Sequence, residues 1–291
     1  MSLPPPRPDV EGFHDPETGT ITYLVTDKAT LRAAIIDPVL DFDPKSARTA
    51  TRSADTVIAR ARAAGVTVDH LLETHVHADH LSGMAHVKRA LGGASGIGAE
   101  IHAVQRAFRE IFGLERDFHA DGSQFDHVFA DGELFALGTI PVRVLHTPGH
   151  TPACVSYLIG DAVFVGDTLF MPDSGTARCD FPGGDAATLY RSIRRLLALP
   201  GVTRMFICHD YRPGGRDAAW ETTVAEQRAH NIHVHDGIDA AAFVALRTAR
   251  DRTLSMPVLI IPAVQVNIRA GELPAPEANG VRYLRVPLDV L

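Results

Sequence analysis

"ETHVHADHLSG", the stretch from Glu73 to Gly83, crowds three histidines and an aspartate into six consecutive positions. These four side chains are His75, His77, Asp79 and His80. Burial of such polar groups without partners costs on the order of 2–7 kcal/mol each, so the fold must use them. Imidazole and carboxylate ligands suit zinc, iron, nickel or manganese rather than calcium. The stretch therefore predicts a metal site.

The segments on either side of this stretch alternate between strand and helix patterns. "ADTVIARARAAG" predicts a helix that stops at Gly65, where glycine can adopt the left-handed cap conformation. "VDHLLETH" predicts a short apolar strand, "SGMAHVKRALGG" a second helix and "AEIHA" a further strand. This order indicates an α/β fold, in which ligands bind at loops beyond the carboxyl ends of strands. The histidine stretch lies at such a loop.

Three later strands are followed by metal-ligating residue types in the same way. "VRVLHTPGHT" offers His146 and His150, "AVFVGDTLF" offers Asp167, and "MFICHDY" offers His209 and Asp210. Strand ends hold side chains rigidly, as the geometry of a metal site requires. Four strand ends that converge on one rim therefore predict a metal centre.

The remaining segments complete two β-rich halves with helices outside. The packing that this predicts is an α/β sandwich, in which two mostly antiparallel or mixed sheets lie face to face and are flanked by helices. No linker is apparent, so a single domain is predicted for residues 1–291. Residues 240–291 are expected to form a C-terminal wrapping segment with one or two edge strands, because the segment is rich in proline.

Composition excludes several kinds of partner. A net charge of −7 argues against nucleic acid, because phosphate binding needs clustered lysine and arginine. No apolar run suits a membrane span or a signal peptide, so no membrane partner is expected. An odd count of three cysteines suits a reducing compartment, and the cytoplasm is the expected location. The oligomeric state stays open, with a homodimer as the general default.

The motifs "THVHADH", "TPGHT", "VGDTL" and "CHDY", in this order, resemble the metallo-β-lactamase superfamily over nearly the whole chain. The resemblance implies an αββα sandwich with a metal site on one edge. "TARCDFPGGDAATLYRSI" and "HDYRPGGRDAAWETTVAEQRAHN" look like the persulfide dioxygenase branch, in its bacterial form. Members of that branch oxidise glutathione persulfide with O2 to sulfite and glutathione.

The persulfide dioxygenase resemblance also implies a site. One Fe(II) per chain would be held by His75, His150 and Asp167, matched motif by motif. Two histidines and one carboxylate leave iron positions open for the persulfide sulfur and for O2, which brings both reactants together. The resemblance further places Arg178 and Tyr211 at the substrate pocket. Arg178 is expected to hold a glutathione carboxylate or product oxygens.

Four residues of the pattern keep two interpretations open: His77, Asp79, His80 and His209. Around a single iron they orient ligands and hold water. In a glyoxalase II-like thioester hydrolase, a hydroxyacylglutathione hydrolase, they ligate one of two zinc, iron or manganese ions. A third interpretation is a non-catalytic metal or persulfide sensor, although no DNA-binding element is apparent. The sequence leaves open the metal identity and the thiol that carries the persulfide.

Overall fold

The computed structural model describes residues 5–290, which contain fifteen strands and seven α-helices. The strands of the first half are β1 (Asp9–His14), β2 (Ile21–Asp27), β3 (Arg32–Ile36), β4 (Val39–Asp43), β5 (Arg48–Ala50), β6 (Thr67–Leu72), β7 (Leu81–Ser82), β8 (Ala94–Gly98) and β9 (His127–Phe129). Those of the second half are β10 (Leu134–Leu137), β11 (Ile140–His146), β12 (Val155–Ile159), β13 (Ala162–Phe164), β14 (Arg204–Phe206) and β15 (Glu221–Thr223). The helices are α1 (Arg52–Ala63), α2 (Met84–Leu91), α3 (Ile101–Phe112), α4 (Ala186–Leu197), α5 (Val224–His230), α6 (Ala240–Asp251) and α7 (Ile260–Asn267). None of these described helices is both long enough and apolar enough to cross a membrane.

Two six-stranded sheets form the centre of the molecule, and both mix parallel and antiparallel pairs. The first has the order β1-β2-β3-β6-β8-β9, with β3, β6, β8 and β9 parallel. The second runs from β10 to β15 in chain order, with β13 and β14 parallel and the other neighbours antiparallel. A small third sheet has the order β5-β4-β7. The expectation of two mixed sheets in an α/β fold is confirmed.

Buried apolar side chains from both sheets fill the space between them. Tyr23 and Ile36 of the first sheet share this cluster with Tyr157 and Phe164 of the second. Because side chains alternate along a strand, Leu24 points to the opposite face, which α1, α2 and α3 cover. A third cluster joins the outer face of the second sheet to α4, α5 and α6. The layers therefore run helix, sheet, sheet, helix.

The strand expected at "AEIHA" is wrong. Strand β8 lies earlier in the chain, and α3 already begins at Ile101. Strand β8 contains Gly96 and Gly98, and glycines within a short segment read locally as a turn. A side chain at Gly96 would collide with the ring of Phe129 on the neighbouring strand. The strand is glycine-rich because its neighbours approach closely, which no local pattern reveals.

The edge strands expected in the C-terminal segment are also wrong for the described residues 240–290. This segment forms α6, α7 and a following stretch without strands, and Leu291 lies outside the described residues. Helix α7 buries Ile260, Ala263 and Val264 against the first layer of helices and against β7. Pro262 is tolerated there because it lies in the first turn, where backbone N–H groups have no intrahelical acceptor.

Candidate metal centre

Four loops that follow β6, β11, β13 and β14 bring their histidines and aspartates together. In a first group, ligand atoms of His75, His150 and Asp167 lie within 4.8 Å of one another. The Nε2 atoms of His75 and His150 lie 3.9 and 3.7 Å from Asp167 Oδ2. All three side chains are buried. One ion can therefore contact two imidazoles and a carboxylate at this place.

A second group adjoins the first through Asp167. It comprises four side chains with ligand atoms within 4.8 Å of one another: His77, Asp79, His80 and His209. His209 Nε2 lies 3.1 Å from Asp79 Oδ2 and 3.4 Å from Asp167 Oδ1. Because its two oxygens face different groups, Asp167 could serve either one ion or two.

Seven buried side-chain nitrogen or oxygen atoms among the described residues lack a hydrogen-bond partner, and five of them lie in these two groups. The five are His77 Nδ1, Asp79 Oδ1, His80 Nε2, Asp167 Oδ1 and His209 Nε2. Buried polar atoms are nearly always paired, and each unpaired one costs about 1–3 kcal/mol. Lone pairs on imidazole nitrogen and carboxylate oxygen are suitable ligands for divalent transition metals. The donor set therefore fits a metal centre.

Hydrogen bonds fix which imidazole nitrogen of each first-group histidine is free. His150 Nδ1 donates to the backbone carbonyl of Arg178 at 2.8 Å, which leaves the Nε2 lone pair for a metal. His75 Nδ1 lies 3.0 Å from Thr74 Oγ1, which itself donates to Asp37 Oδ2 at 2.9 Å. Both imidazoles therefore present Nε2 toward Asp167.

His77 is held by two buried carboxylates that the motif pattern did not identify. Its Nε2 atom lies 3.0 Å from Asp37 Oδ1 and 3.1 Å from Glu73 Oε2, which leaves Nδ1 as the free ligand atom. Asp37 directly follows β3, so the strand-end pattern of the other loops was a sufficient signal for it. Burial raises the pKa of Glu73 to about 7. Burial acts to raise the pKa of Asp37, but the charge of His77 and the hydrogen bonds from His77 and Thr74 together outweigh it, so the pKa of that carboxyl is lowered.

Burial favours the neutral form of His75, His150 and His209. It lowers the pKa of His75 and of His150, and it lowers the pKa of His209 to about 4. Neutral imidazoles bind a metal without first releasing a proton. Burial also raises the pKa of Asp167, and the negative charge of Asp79 adds to the rise. A bound cation would offset both effects and favour the ionised carboxylate.

A cavity of about 810 Å³ opens onto this centre. His150, Asp167 and Asp79 line it, whereas His80 and His209 are fully buried behind it. Its walls come largely from aromatic and aliphatic side chains: Phe42, Phe170, Phe181, Leu254, Val258 and Leu259. The C-terminal segment after α6 therefore forms part of the substrate-sized cavity.

Arg178 and Tyr211 both line this cavity. Arg178 donates through Nε and Nη2 to Asp180 at 2.6 and 2.7 Å, and through Nη1 to the Ser255 carbonyl at 2.6 Å. Two of the five guanidinium N–H groups are thus left without an oxygen acceptor. Tyr211 donates to Asp79 Oδ2 at 3.3 Å, and its ring stacks on His209 at 5.9 Å. Tyr211 therefore covers the second group from the cavity side.

Helix α6 anchors the loop that carries Arg178. Arg247 donates to Asp251 Oδ1 at 2.8 Å and to the Thr176 carbonyl at 3.0 Å. Asp251 Oδ2 accepts from the backbone N–H of Cys179 at 2.9 Å. Arg247 and Asp251 are both buried. The loop carbonyl that accepts the hydrogen bond from His150 is therefore fixed by a helix distant in sequence.

The turn before His150 depends on Gly149. Its φ of 136° is a conformation that side-chain-bearing residues rarely adopt, and a Cβ atom there would collide with the backbone of Leu189 in α4. Asp185 caps α4 by accepting from Thr188 N at 2.7 Å, and its own N–H donates to the Gly149 carbonyl. The "TPGH" turn thus rests directly on the start of α4.

Two residues at the predicted strand ends lie outside both metal-ligating groups. His146 Nε2 lies 2.8 Å from the Pro152 carbonyl. Asp210 accepts from Arg216 through both carboxylate oxygens. Both side chains are therefore used in structural hydrogen bonds.

Comparison with known families and proteins agrees with this architecture. The metallo-β-lactamase superfamily profile matches residues 15–209. The chain is 55% identical to a probable metallo-hydrolase of Burkholderia pseudomallei, covering 97% of this chain and 99% of the relative. It is 48% identical to "Glyoxylase B2" of Dictyostelium discoideum, covering 97% of each.

More distant relatives carry a different functional name. The chain is 30% identical to mitochondrial persulfide dioxygenase ETHE1 of Bos taurus, covering 88% of this chain and 86% of the relative. The crystal structure of ETHE1 from Myxococcus xanthus aligns with a TM-score of 0.72 and 29% identity, covering 91% of this chain and 100% of that one. Some curated relatives are longer, and this chain spans 65% of their length.

Proposed function

The chain belongs to the metallo-β-lactamase superfamily, and from that premise we propose that it is an Fe(II)-dependent persulfide dioxygenase. The substrates are glutathione persulfide and O2, and the products are sulfite and glutathione. One iron per chain is held by His75, His150 and Asp167. The observation that carries the proposal is that His150 and Asp167 line the cavity and lie beside His75, so two of these three ligands face a substrate. Asp79 is the one described member of the second group that lines the cavity.

Two further points support this assignment. Two histidines and one carboxylate form the ligand set typical of non-haem Fe(II) oxygenases. The relative named as a persulfide dioxygenase and the ETHE1 structure both align over most of the chain. Glutathione persulfide, O2 and water give glutathione, sulfite and two protons. The S–S bond breaks, and the outer sulfur loses the four electrons that O2 takes up.

Bound iron supplies vacant positions for both substrates and the electrons that activate O2. The protein supplies orientation and exclusion of water. The Arg178 carbonyl holds His150 in one tautomer, and Phe170 and Phe181 line the cavity beside the triad. We assign substrate contacts to the Tyr211 hydroxyl and to the two N–H groups of Arg178 that have no oxygen acceptor.

A glyoxalase II-like thioester hydrolase with two metals is the second candidate. It is favoured by the second group, in which His77 Nδ1, Asp79 Oδ1 and His80 Nε2 are buried without partners. A second ion would satisfy these atoms, whereas the dioxygenase requires that ordered water does so. The names of the relatives at 55% and 48% identity also favour a hydrolase.

O2 uptake with glutathione persulfide, measured on anaerobically iron-loaded protein, separates the two candidates. The proposal predicts O2 consumption with sulfite formed in equal amount, and negligible hydrolysis of S-lactoylglutathione. His150→Ala should abolish uptake and lower bound iron, whereas His146→Ala should retain both. Hydrolysis of the thioester without O2 uptake would establish the second candidate.

We also propose the cellular setting that the sequence indicates. The enzyme acts on a small molecule, without nucleic acid or membrane, as a single domain over residues 1–291. The acidic balance of the chain is unfavourable for phosphate backbones. We propose a cytoplasmic homodimer. Cell fractionation would test the location, and light scattering would test the oligomeric state.

A further inference from the structure

Five charged side chains line the cavity in addition to the metal-ligating residues: Glu17, Asp173, Arg178, Arg247 and Arg250. Three of them already form ion pairs within the protein. Asp173, Arg178 and Arg247 each form an ion pair at 2.6 Å with a residue that the protein itself provides. Their charges are therefore largely neutralised before any ligand enters.

Glu17 and Arg250 differ from these three. Among the described residues, neither side chain forms an ion pair or a hydrogen bond, and both are exposed. Glu17 lies in the turn between β1 and β2, and Arg250 lies in the last turn of α6. One free negative and one free positive charge are thus presented to the same cavity by two unrelated parts of the chain.

Several exposed apolar side chains also line this cavity. Tyr211, Ile232 and Val258 line it and are 58%, 53% and 82% exposed, and Leu254 is 38% exposed. Exposed apolar side chains grouped around a cavity mark a binding surface for an organic body. A volume of about 810 Å³ is far larger than a sulfur atom and an O2 molecule require. The cavity is therefore built for the carrier of the persulfide as well as for its reacting end.

We propose that Glu17 and Arg250 bind the carrier thiol, with Glu17 accepting from an ammonium group and Arg250 donating to a carboxylate. This inference rests on the proposed function, because it names the side chains that contact the substrate's carrier at the same site. The carrier is a zwitterionic peptide thiol that bears a free amino group and a free carboxylate. Carriers with only one of these charges, and inorganic persulfide, leave one of the two side chains without a partner.

Calorimetric titration of the iron-loaded protein with glutathione, without O2, tests the contacts. Glutathione amidated at either carboxylate, or acetylated at the amino group, provides the matched ligands. We expect Arg250→Gln to weaken glutathione binding about fivefold, as for an exposed charge contact. The glutathione amide that lacks the contacting carboxylate should bind the variant and the parent protein equally. Glu17→Gln should weaken glutathione similarly but leave N-acetylglutathione unchanged.

Two substitutions on the exposed face of α3 serve as controls. Arg106 and Glu110 are exposed, form no ion pair in the described chain and do not line the cavity. Arg106→Gln and Glu110→Gln should bind every ligand as the parent protein does. That result would exclude a general effect of net charge.

The inference is overturned if the parent protein does not bind glutathione, or if it binds the modified forms as well as the parent ligand. It is equally overturned if Arg250→Gln and Glu17→Gln bind glutathione unchanged. These binding outcomes do not depend on turnover. O2 uptake with glutathione persulfide is measured separately, so loss of the dioxygenase proposal and loss of the carrier contacts are distinguishable.

Discussion

At the scale of single residues, the chemistry of the centre is set by the partners of its histidines. His150 and His77 are chemically the same side chain but present different nitrogens. The carbonyl of Arg178 occupies Nδ1 of His150, whereas Asp37 and Glu73 occupy Nε2 of His77. Each residue thereby presents one defined nitrogen to a metal ion, and metal binding at His77 releases the proton that this nitrogen carries in the charged imidazole.

His233 provides a residue-scale prediction about pH. Its Nδ1 accepts from Thr176 N at 3.1 Å, and burial, followed by the charges of Arg247 and Arg250, lowers its pKa to about 4. Below pH 6.5 the unfolded chain gains a proton that the folded chain does not, so this group lowers stability progressively from pH 6.5 to about 4. We expect the urea midpoint of His233→Gln to fall less between pH 7 and pH 5 than that of the parent.

A parallel decline in both proteins over this interval would contradict the assignment to His233. Circular dichroism at several pH values gives the comparison directly. The measurement suits metal-free protein, in which metal release does not add to the pH dependence.

At the scale of elements, the site depends on contacts between loops and helices that are distant in sequence. The "TPGH" turn rests on α4 through Gly149, and the loop of Arg178 is held by Arg247 and Asp251 of α6. The cavity-facing loops are therefore fixed from behind by helices. Disturbing these contacts should change the metal site without removing a ligand.

Gly149→Ala is the first test at this scale. The added Cβ must displace the backbone of α4, and φ at 136° is strained for alanine, so we expect a loss of more than about 2 kcal/mol in unfolding free energy. Gly132→Ala is the matched control, because Gly132 also has positive φ, at 78°, but has no atom within 4 Å of the added Cβ. That control should lose only about 1 kcal/mol in urea denaturation. Equal losses would show that the α4 contact is unimportant.

Asp251→Asn tests the α6 anchor. It leaves the buried Arg247 without its counter-charge, so the unfolding free energy should fall by about 3–5 kcal/mol. The double variant Arg247→Met, Asp251→Leu removes both charges and should recover most of that stability. Iron titration of the double variant should still give weaker binding, because Cys179 N has lost its acceptor. Parent-like iron affinity in the double variant would mean that the anchor does not position His150.

At the scale of the whole molecule, the sequence predicted the layered fold and the metal-ligating loops because both follow from local patterns. A strand that ends in His, Asp or His-x-His is visible in a few residues, and the sheet brings such ends together. The glycine-rich β8 was missed because Gly96 is set by the close approach of the Phe129 ring, a contact distant in sequence. Helix α7 was missed because its apolar face is determined by the layers around it. Asp37 follows the same strand-end pattern as the other loops, whereas the contact of Glu73 with His77 required the fold.

The arrangement of the ligands suits either one metal ion or two. Both ligand groups meet at Asp167, and the cavity reaches His150 and Asp79 alike. The central claim is that a single iron, bound at the first group, is enough for the proposed dioxygenase activity. Anomalous diffraction at the iron and zinc edges, on crystals of anaerobically iron-loaded protein, tests it most directly. We predict one iron peak between His75, His150 and Asp167, and two metal peaks bridged by Asp167 would contradict the account.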